Sequence, residues 1–202
     1  DAAGEAFDKV AKMLGLPYPG GRPVSELAQT GDAAAFGLPR PMMQGGAGPE
    51  SAGWFDVSFS GLKTAVLLEV EALQAAGTLE ARRADLAASF EQAVIDVLVG
   101  KVLRAVEWSG CRRVLLGGGV SANRPLRAAL RAALGNDGRV FTSSPRLAMD
   151  NGAMVARAGR FRWDRGEIAS FSHTASPQLD IPGLRTRTAG EGPDEPTLSP
   201  SL

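Results

Sequence analysis

The stretch that decides the fold is CRRVLLGGGVSANRPL, residues Cys111 to Leu126. Its apolar run, 114–116, is typical of a short buried strand, and three consecutive glycines follow it at once. Asn123 and Pro125 then indicate the start of a helix, because asparagine caps helices and proline fits a first helical turn. A strand that runs into glycines and a capped helix presents bare backbone N–H groups, which suit an anion. The stretch therefore predicts an α/β layer with a ligand-binding loop.

Outward from this stretch, the spacing of apolar residues predicts alternating helices and strands. Helices are expected at 2–14, 23–31, 62–75, 79–109, 122–134 and 150–165, and strands at 54–59, 114–116 and 140–142. Such alternation favours an α/β fold. A loop rich in glycine and proline is expected between the second helix and the first strand. We expect an ordered region over 1–170 and a disordered tail over 176–202, where proline is frequent and apolar residues are few.

Composition bounds the class of protein. The chain has 202 residues, of which 44% are hydrophobic and 22% charged, as in soluble globular domains. Its 22 basic and 22 acidic residues balance, so a nucleic acid would have to meet a local basic patch. The single cysteine and single histidine exclude an internal disulfide, a cysteine-based zinc cluster and an HxxxH metal motif within this chain. No apolar run approaches the roughly 20 residues of a membrane span, and no signal peptide is visible. We expect a cytoplasmic protein without a membrane partner.

Short motifs near both ends of the predicted α/β layer could bind a ligand, and each has a structural alternative. Gly118 and Gly119 could lie against a ligand or make a tight strand–helix connection. Asn123 could hydrogen-bond a ligand or cap its helix. Asp8 could reach ribose hydroxyls, or could be a solvated carboxylate paired with Lys12.

Four further positions could also have either a binding role or a purely structural one. Gly21, in the turn YPGG, could let a flat ligand approach the backbone or could serve an ordinary turn. Asp150 could be a metal ligand or a helix N-cap. Arg40 stands between two prolines, and Lys63 stands in a first helical turn, where a positive charge is unfavourable. Both could contact phosphates or be solvated surface charges.

Six motifs occur in one order along the chain, namely DAAGEAFDK, YPGG, PRPM, VSFSGLKT, GGVSANRPLR and DNGAM. Together they resemble the tRNA adenosine threonylcarbamoyltransferase family over roughly Asp1 to Gly166. The resemblance implies an actin-like, hexokinase-like ATPase fold with two lobes around a nucleotide cleft. It implies that this chain is N-terminally truncated and contains mainly the second lobe. It also implies transfer of a threonylcarbamoyl group from threonylcarbamoyl-AMP to the N6 amine of the adenosine beside the anticodon, in tRNAs that read ANN codons.

The resemblance also implies roles for the motif residues. By motif, Asp8, Gly21 and Asn123 match positions that bind the adenylate. Gly118 and Gly119 would lie against it by proximity. In this arrangement the backbone and the asparagine hold the adenylate in line with the amine, and AMP leaves.

The implied metal site is incomplete in this sequence. Asp150 matches the carboxylate ligand of a divalent metal, Fe²⁺ or Zn²⁺, which would act as a Lewis acid. The family's histidine ligands are absent from this chain, so we expect the fragment alone to be inactive. Ser25 stands where many relatives carry an acid for the ribose. The implied partners are tRNA, an inactive paralogue and a small ATPase, with Arg40 and Lys63 as expected tRNA contacts.

Two other classes of function stay open. A small-molecule kinase of the same fold would share the strand–glycine–helix pattern but not the SFSGLK and SANR motifs. A non-catalytic paralogue that scaffolds the modification complex would be expected to lose Asp150 and Asn123, which are both present.

Overall fold

The computed structural model describes residues 2–44, 46, 48–51 and 53–168. Its helices are α1 Ala3–Met13, α2 Gly21–Ala28, α3 Ser60–Ala75, α4 Leu79–Ser109, α5 Arg124–Leu134 and α6 Gly152–Trp163. Its strands are β1 Arg113–Leu116 and β2 Arg139–Thr142, and 3-10 turns occupy Gly119–Ala122 and Pro145–Leu147. The predicted helices are confirmed, with ends that differ by a few residues. The expected tail, 176–202, lies outside the described residues.

The chain divides into two compact units, Asp1–Met154 and Val155–Leu202. The core of the first unit surrounds α4, against which α2, α3 and α5 pack, while α1 packs against α2 and α3. The rings of Phe7 on α1 and Phe90 on α4 meet edge to face, with centroids 5.1 Å apart. Helix α4 is followed by Gly110, whose φ of 67° is left-handed, suits glycine and ends the helix. No helix in the described part of the chain is long and apolar enough to cross a membrane.

The sheet is small and parallel. Strands β1 and β2 pair in register, with Val114 opposite Val140, and α5 connects them, because parallel strands need a crossover. The apolar side of α5, with Leu126 and Leu130, packs against Ile95 of α4 and against the inner face of the sheet. The α/β prediction and both of these strands are confirmed. The glycines after β1 thus lie at the carboxyl end of a parallel strand, where α/β proteins bind ligands.

The predicted strand at 54–59 is wrong, since the structure has no strand there. Within this segment the carbonyl of Trp54 accepts hydrogen bonds from the side chains of Lys101 and Arg104 on α4. Lys101 is 4% exposed, and its ammonium donates to the carbonyls of Gly53 at 2.9 Å and Trp54 at 2.8 Å. Burial lowers the pKa of Lys101, and the charge of Arg104 lowers it further. The apolar residues at 54–59 therefore reflect packing of a loop on a helix, with Phe59 fully buried.

Candidate functional site

Asp8 joins α1 to the start of α2. Its Oδ1 accepts a hydrogen bond from the backbone N–H of Gly20 at 2.7 Å, whereas the ion pair with Lys12 that the spacing allowed is not formed in the described structure. A Cβ atom at Gly20 would lie 2.5 Å from the Cβ of Ala11 and 2.7 Å from the carbonyl oxygen of Phe7. Only glycine fits so close an approach. The two helices therefore hold the Asp8 carboxylate beside the first turn of α2.

Gly21, the first residue of α2, borders open space. A Cβ atom there would meet no other atom within 4 Å. A ligand can therefore reach the backbone at this helix N-terminus, whose N–H groups carry partial positive charge. Ser25 lies one turn further along the same helix, where its Oγ contacts the side chain of Asn123.

The side chain of Asn123 forms hydrogen bonds with residues of three helices. It caps α5, with its Oδ1 accepting from the N–H of Leu126 at 2.8 Å. Its Nδ2 donates to Oε1 of Glu91 on α4 at 2.7 Å and to Oγ of Ser25 on α2 at 3.4 Å. The capping alternative for Asn123 is thus confirmed, and the same side chain also connects three helices. The amide thus lies beside α2, the helix that begins at Gly21.

Glu91 was missed by the sequence reasoning. It is 6% exposed and lies on the buried side of α4, next to Phe90. An acid inside the apolar run LAASFEQAV was the available signal, because charged residues are seldom buried without a partner. Its partner, Asn123, is 32 residues away in the sequence, so helical spacing could not reveal it.

The glycine loop after β1 is exposed and tightly turned. Gly118 has a φ of 79° and a ψ of 170°, a conformation that essentially only glycine adopts. Gly119 then begins the 3-10 turn that leads to Asn123. Within this turn Ser121 is 3% exposed, and its hydroxyl has no hydrogen-bond partner among the described residues. The loop therefore offers backbone N–H groups to a ligand next to the amide of Asn123.

Asp150 lies in an exposed loop before α6. The capping alternative for this residue is wrong, because the Oδ1 of Asn151 accepts from the N–H of Met154 at 3.0 Å and caps the helix instead. The reason is local, since α6 begins at 152, which makes the preceding residue the N-cap. The Cγ of Met149 lies 3.9 Å from where a Cβ of Gly119 would stand. The loop that carries Asp150 thus lies beside the glycine loop.

Whether a metal ion could bind at Asp150 depends on the other possible ligands around it. A carboxylate that is exposed and unpaired in the described structure suits a divalent cation. The described residues include no group of three or more His, Cys, Asp or Glu that could hold a metal ion. Asp150 is therefore a single candidate ligand, and the described residues do not form a metal site on their own.

Arg40 and Lys63 are both paired with carboxylates. The Nε and Nη2 of Arg40 lie 2.9 and 2.8 Å from Oδ2 of Asp96 on α4. The Nζ of Lys63 lies 3.4 Å from Oε1 of Glu5 on α1. The structure places one charge against α4 and the other against α1.

Comparison with known proteins gives one family. The family model TsaD, tRNA N6-adenosine threonylcarbamoyltransferase, matches residues 1–157. The protein of that name from Gemmatimonas aurantiaca is 52% identical over an alignment of 189 residues, and the match covers 91% of this chain and 53% of the relative. The one from Paracidovorax citrulli is 54% identical over 188 residues, 91% of this chain and 51% of the relative. The one from Burkholderia ambifaria is 47% identical over 192 residues, 91% of this chain and 54% of the relative. The chain spans about half the length of these curated relatives.

Proposed function

Because the chain belongs to the tRNA N6-adenosine threonylcarbamoyltransferase family, we propose that it forms the nucleotide-binding part of a tRNA-modifying enzyme. The reaction is transfer of the threonylcarbamoyl group from threonylcarbamoyl-AMP to the N6 amine of the adenosine beside the anticodon, in tRNAs that read ANN codons. The family implies the actin-like, hexokinase-like ATPase fold, and in this proposal the chain supplies mainly the second lobe. The observation that carries the proposal is the oriented amide of Asn123, which bonds to α2 and α4.

The adenylate is proposed to bind along the surface that joins α1, α2 and the glycine loop. The Asp8 carboxylate accepts hydrogen bonds from ribose hydroxyls, and Gly21 lets the ligand approach the backbone. Gly118 and Gly119 present backbone N–H groups to the phosphate, whose charge the start of α5 also favours. A hydrogen bond from Asn123 fixes the orientation of the ligand. Holding the adenylate in one orientation lowers the entropic cost of bringing it in line with the amine.

Asp150 is proposed to be the one metal ligand that this chain contributes. Its histidine partners would lie outside these 202 residues, and iron or zinc is the expected ion. When bound, such an ion supplies Lewis-acid polarisation of the transferred group. The steps assigned to the residues of this chain are binding and orientation of the adenylate.

The tRNA is proposed to contact Arg40 and Lys63. Because each is paired with a carboxylate, a phosphate group would compete with Asp96 for the first and with Glu5 for the second. An inactive paralogue and a small ATPase are the proposed protein partners, and the cytoplasm is the proposed location.

A transfer assay on two proteins tests this function. One is the 202-residue chain, and the other is the full translated product of the gene that contains it. Both receive threonylcarbamoyl-AMP, an unmodified tRNA that reads ANN codons, and the partner proteins, and modified adenosine is measured by mass spectrometry of the digested tRNA. We expect modification with the full product and none with the 202-residue chain alone. Nucleotide binding without modification by either protein would contradict the proposal and favour a kinase or a scaffold.

A further inference from the structure

The carboxylate of Glu91 has no assigned role, although it makes the shortest contact of the Asn123 side chain. It is 6% exposed, and no cation pairs with it in the described part of the chain. Burying a carboxylate without a cation opposes folding, because the charge loses its hydration. A hydrogen bond of 2.7 Å from a neutral amide offsets part of this cost. A residue kept at such a cost is a candidate for a functional role.

The partners of Asn123 determine which way its amide group points. An asparagine amide can be turned by 180°, which exchanges its oxygen and nitrogen. On one side the N–H of Leu126 can only donate, so it requires the oxygen. On the other side the carboxylate of Glu91 can only accept when ionised, so it requires the nitrogen. The two contacts together allow a single orientation.

This orientation leaves one hydrogen of Nδ2 for a ligand. The first hydrogen is held by Glu91, and the second is directed towards Oγ of Ser25, where the distance of 3.4 Å is long for a hydrogen bond. Ser25 lies one turn from Gly21, the position that borders open space. A ligand acceptor at this side of α2 can therefore replace the weak contact to Ser25 without disturbing the strong contact to Glu91.

We propose that Glu91 is a positioning residue for nucleotide binding. Its carboxylate holds the amide of Asn123 so that Nδ2 donates its second hydrogen to an acceptor atom of a bound adenosine nucleotide. Glu91 does not touch the nucleotide in this arrangement and acts through Asn123. The inference rests on the proposed function, because it takes Asn123 to be a nucleotide contact.

Binding of AMP and of threonylcarbamoyl-AMP to variants of the full gene product tests the proposal. Glu91→Leu removes the acceptor and is expected to weaken binding by roughly ten- to a hundred-fold, the range for hydrogen bonds to charged groups. Glu91→Gln keeps an acceptor of the same length and is expected to bind within about threefold of the parent protein. The KM for threonylcarbamoyl-AMP should rise more than kcat falls, because the lost contact is made on binding.

Ser89→Ala is the matched control on the same helix. Ser89 is fully buried, and its hydroxyl bonds to the N–H of Phe36 and the carbonyl of Asp32. The control should lower stability and leave nucleotide affinity unchanged. An equal loss of affinity in Ser89→Ala would overturn the proposal, since any disturbance of α4 would then suffice.

The double variant Asn123→Ala with Glu91→Leu distinguishes the remaining outcomes. If Glu91 acts through Asn123, the double variant binds no more weakly than Asn123→Ala alone. Additive losses would overturn the proposal. Parent-like binding by Glu91→Leu, with weak binding by Asn123→Ala, would overturn it and leave the proposed function standing. Parent-like binding by Asn123→Ala would overturn both this proposal and the proposed function.

If Glu91→Leu does not fold, Glu91→Asp replaces it, because the shorter side chain withdraws the carboxylate from Asn123. Unchanged affinity in Glu91→Asp would also overturn the proposal.

Discussion

Asn123 and Asp150 lie at similar points of the chain but differ in the contacts that hold their side chains. Each follows a strand of the parallel sheet and a 3-10 turn, and each precedes a helix. The amide of Asn123 bonds to α2, α4 and α5. The carboxylate of Asp150 is exposed and makes no hydrogen bond or ion pair with the described residues. The difference teaches that this chain orients its proposed nucleotide contact during folding and leaves its proposed metal ligand open.

The physical reason lies in what each group would bind. An amide discriminates by the direction of its donors and acceptors, so it is useful only when neighbours fix its orientation. A carboxylate attracts a cation from any direction and keeps its hydration until the cation arrives. Substitutions around Asn123 test whether that region is rigid. Substitution of Asp150 tests whether its loop contributes to the stability of the fold.

Gly20→Val should have the largest effect on stability. Its Cβ would lie 2.5 Å from the Cβ of Ala11 and 2.7 Å from the backbone oxygen of Phe7, so α1 and α2 would have to separate. We expect a loss of about 3 kcal/mol in the free energy of unfolding, measured by urea titration. Gly21→Ala is the control, because its added methyl group meets open space, and it should change stability by about 0.5 kcal/mol or less. Equal stability of the two variants would show that the contact between α1 and α2 is not tight.

Asn123→Ala should have the second-largest effect on stability. It removes the cap of α5 and leaves the buried carboxylate of Glu91 without its donor, for an expected loss of about 2 kcal/mol. Asn151→Ala is the matched control, since Asn151 caps α6 at 3.0 Å from an exposed position, and it should cost about 1 kcal/mol or less. Thermal unfolding of both variants gives the difference. An equal loss would mean that the bond to Glu91 adds no stability.

Asp8→Ala should have a smaller effect. It removes the acceptor of the Gly20 N–H, which is 2.7 Å away and partly buried, and should lower stability by about 1 kcal/mol. Asp8→Asn keeps an acceptor oxygen and should recover part of this loss. Chemical denaturation of the two variants and the parent compares them. An Asn variant as unstable as the Ala variant would show that the contact depends on the charge.

Asp150→Ala should change stability least. Because the carboxylate is exposed and unpaired in the described structure, we expect a change of about 0.5 kcal/mol or less. In the full gene product the same variant should lose bound metal and tRNA modification, measured by elemental analysis and by the transfer assay. Asp137→Ala, another exposed acid, is the control and should keep both. A large loss of stability in Asp150→Ala would contradict the view that this loop is independent of the fold.

The sequence predicted the helices of this chain with accuracy because their signals are local. The apolar spacing along α4 predicts a helix over Leu79–Ser109, and this range is confirmed without a change at either end. The glycine run and the cap at Asn123 likewise lie within a few residues of each other. The resemblance drawn from six ordered motifs is confirmed by the family match over residues 1–157. The binding roles of Asp8, Gly21, Asn123 and Asp150 stay predictions.

Tertiary structure alone decided where the polar groups find their partners. The segment 54–59 has the alternation of a strand, yet the carbonyl of Trp54 bonds to Lys101, which is 47 residues away. The amide of Asn123 meets Ser25 across 98 residues of chain. Local pattern specifies which face of an element is apolar, since helical and strand geometry repeat every few residues. It does not specify which distant donor meets which acceptor, because that depends on how the helices pack around α4.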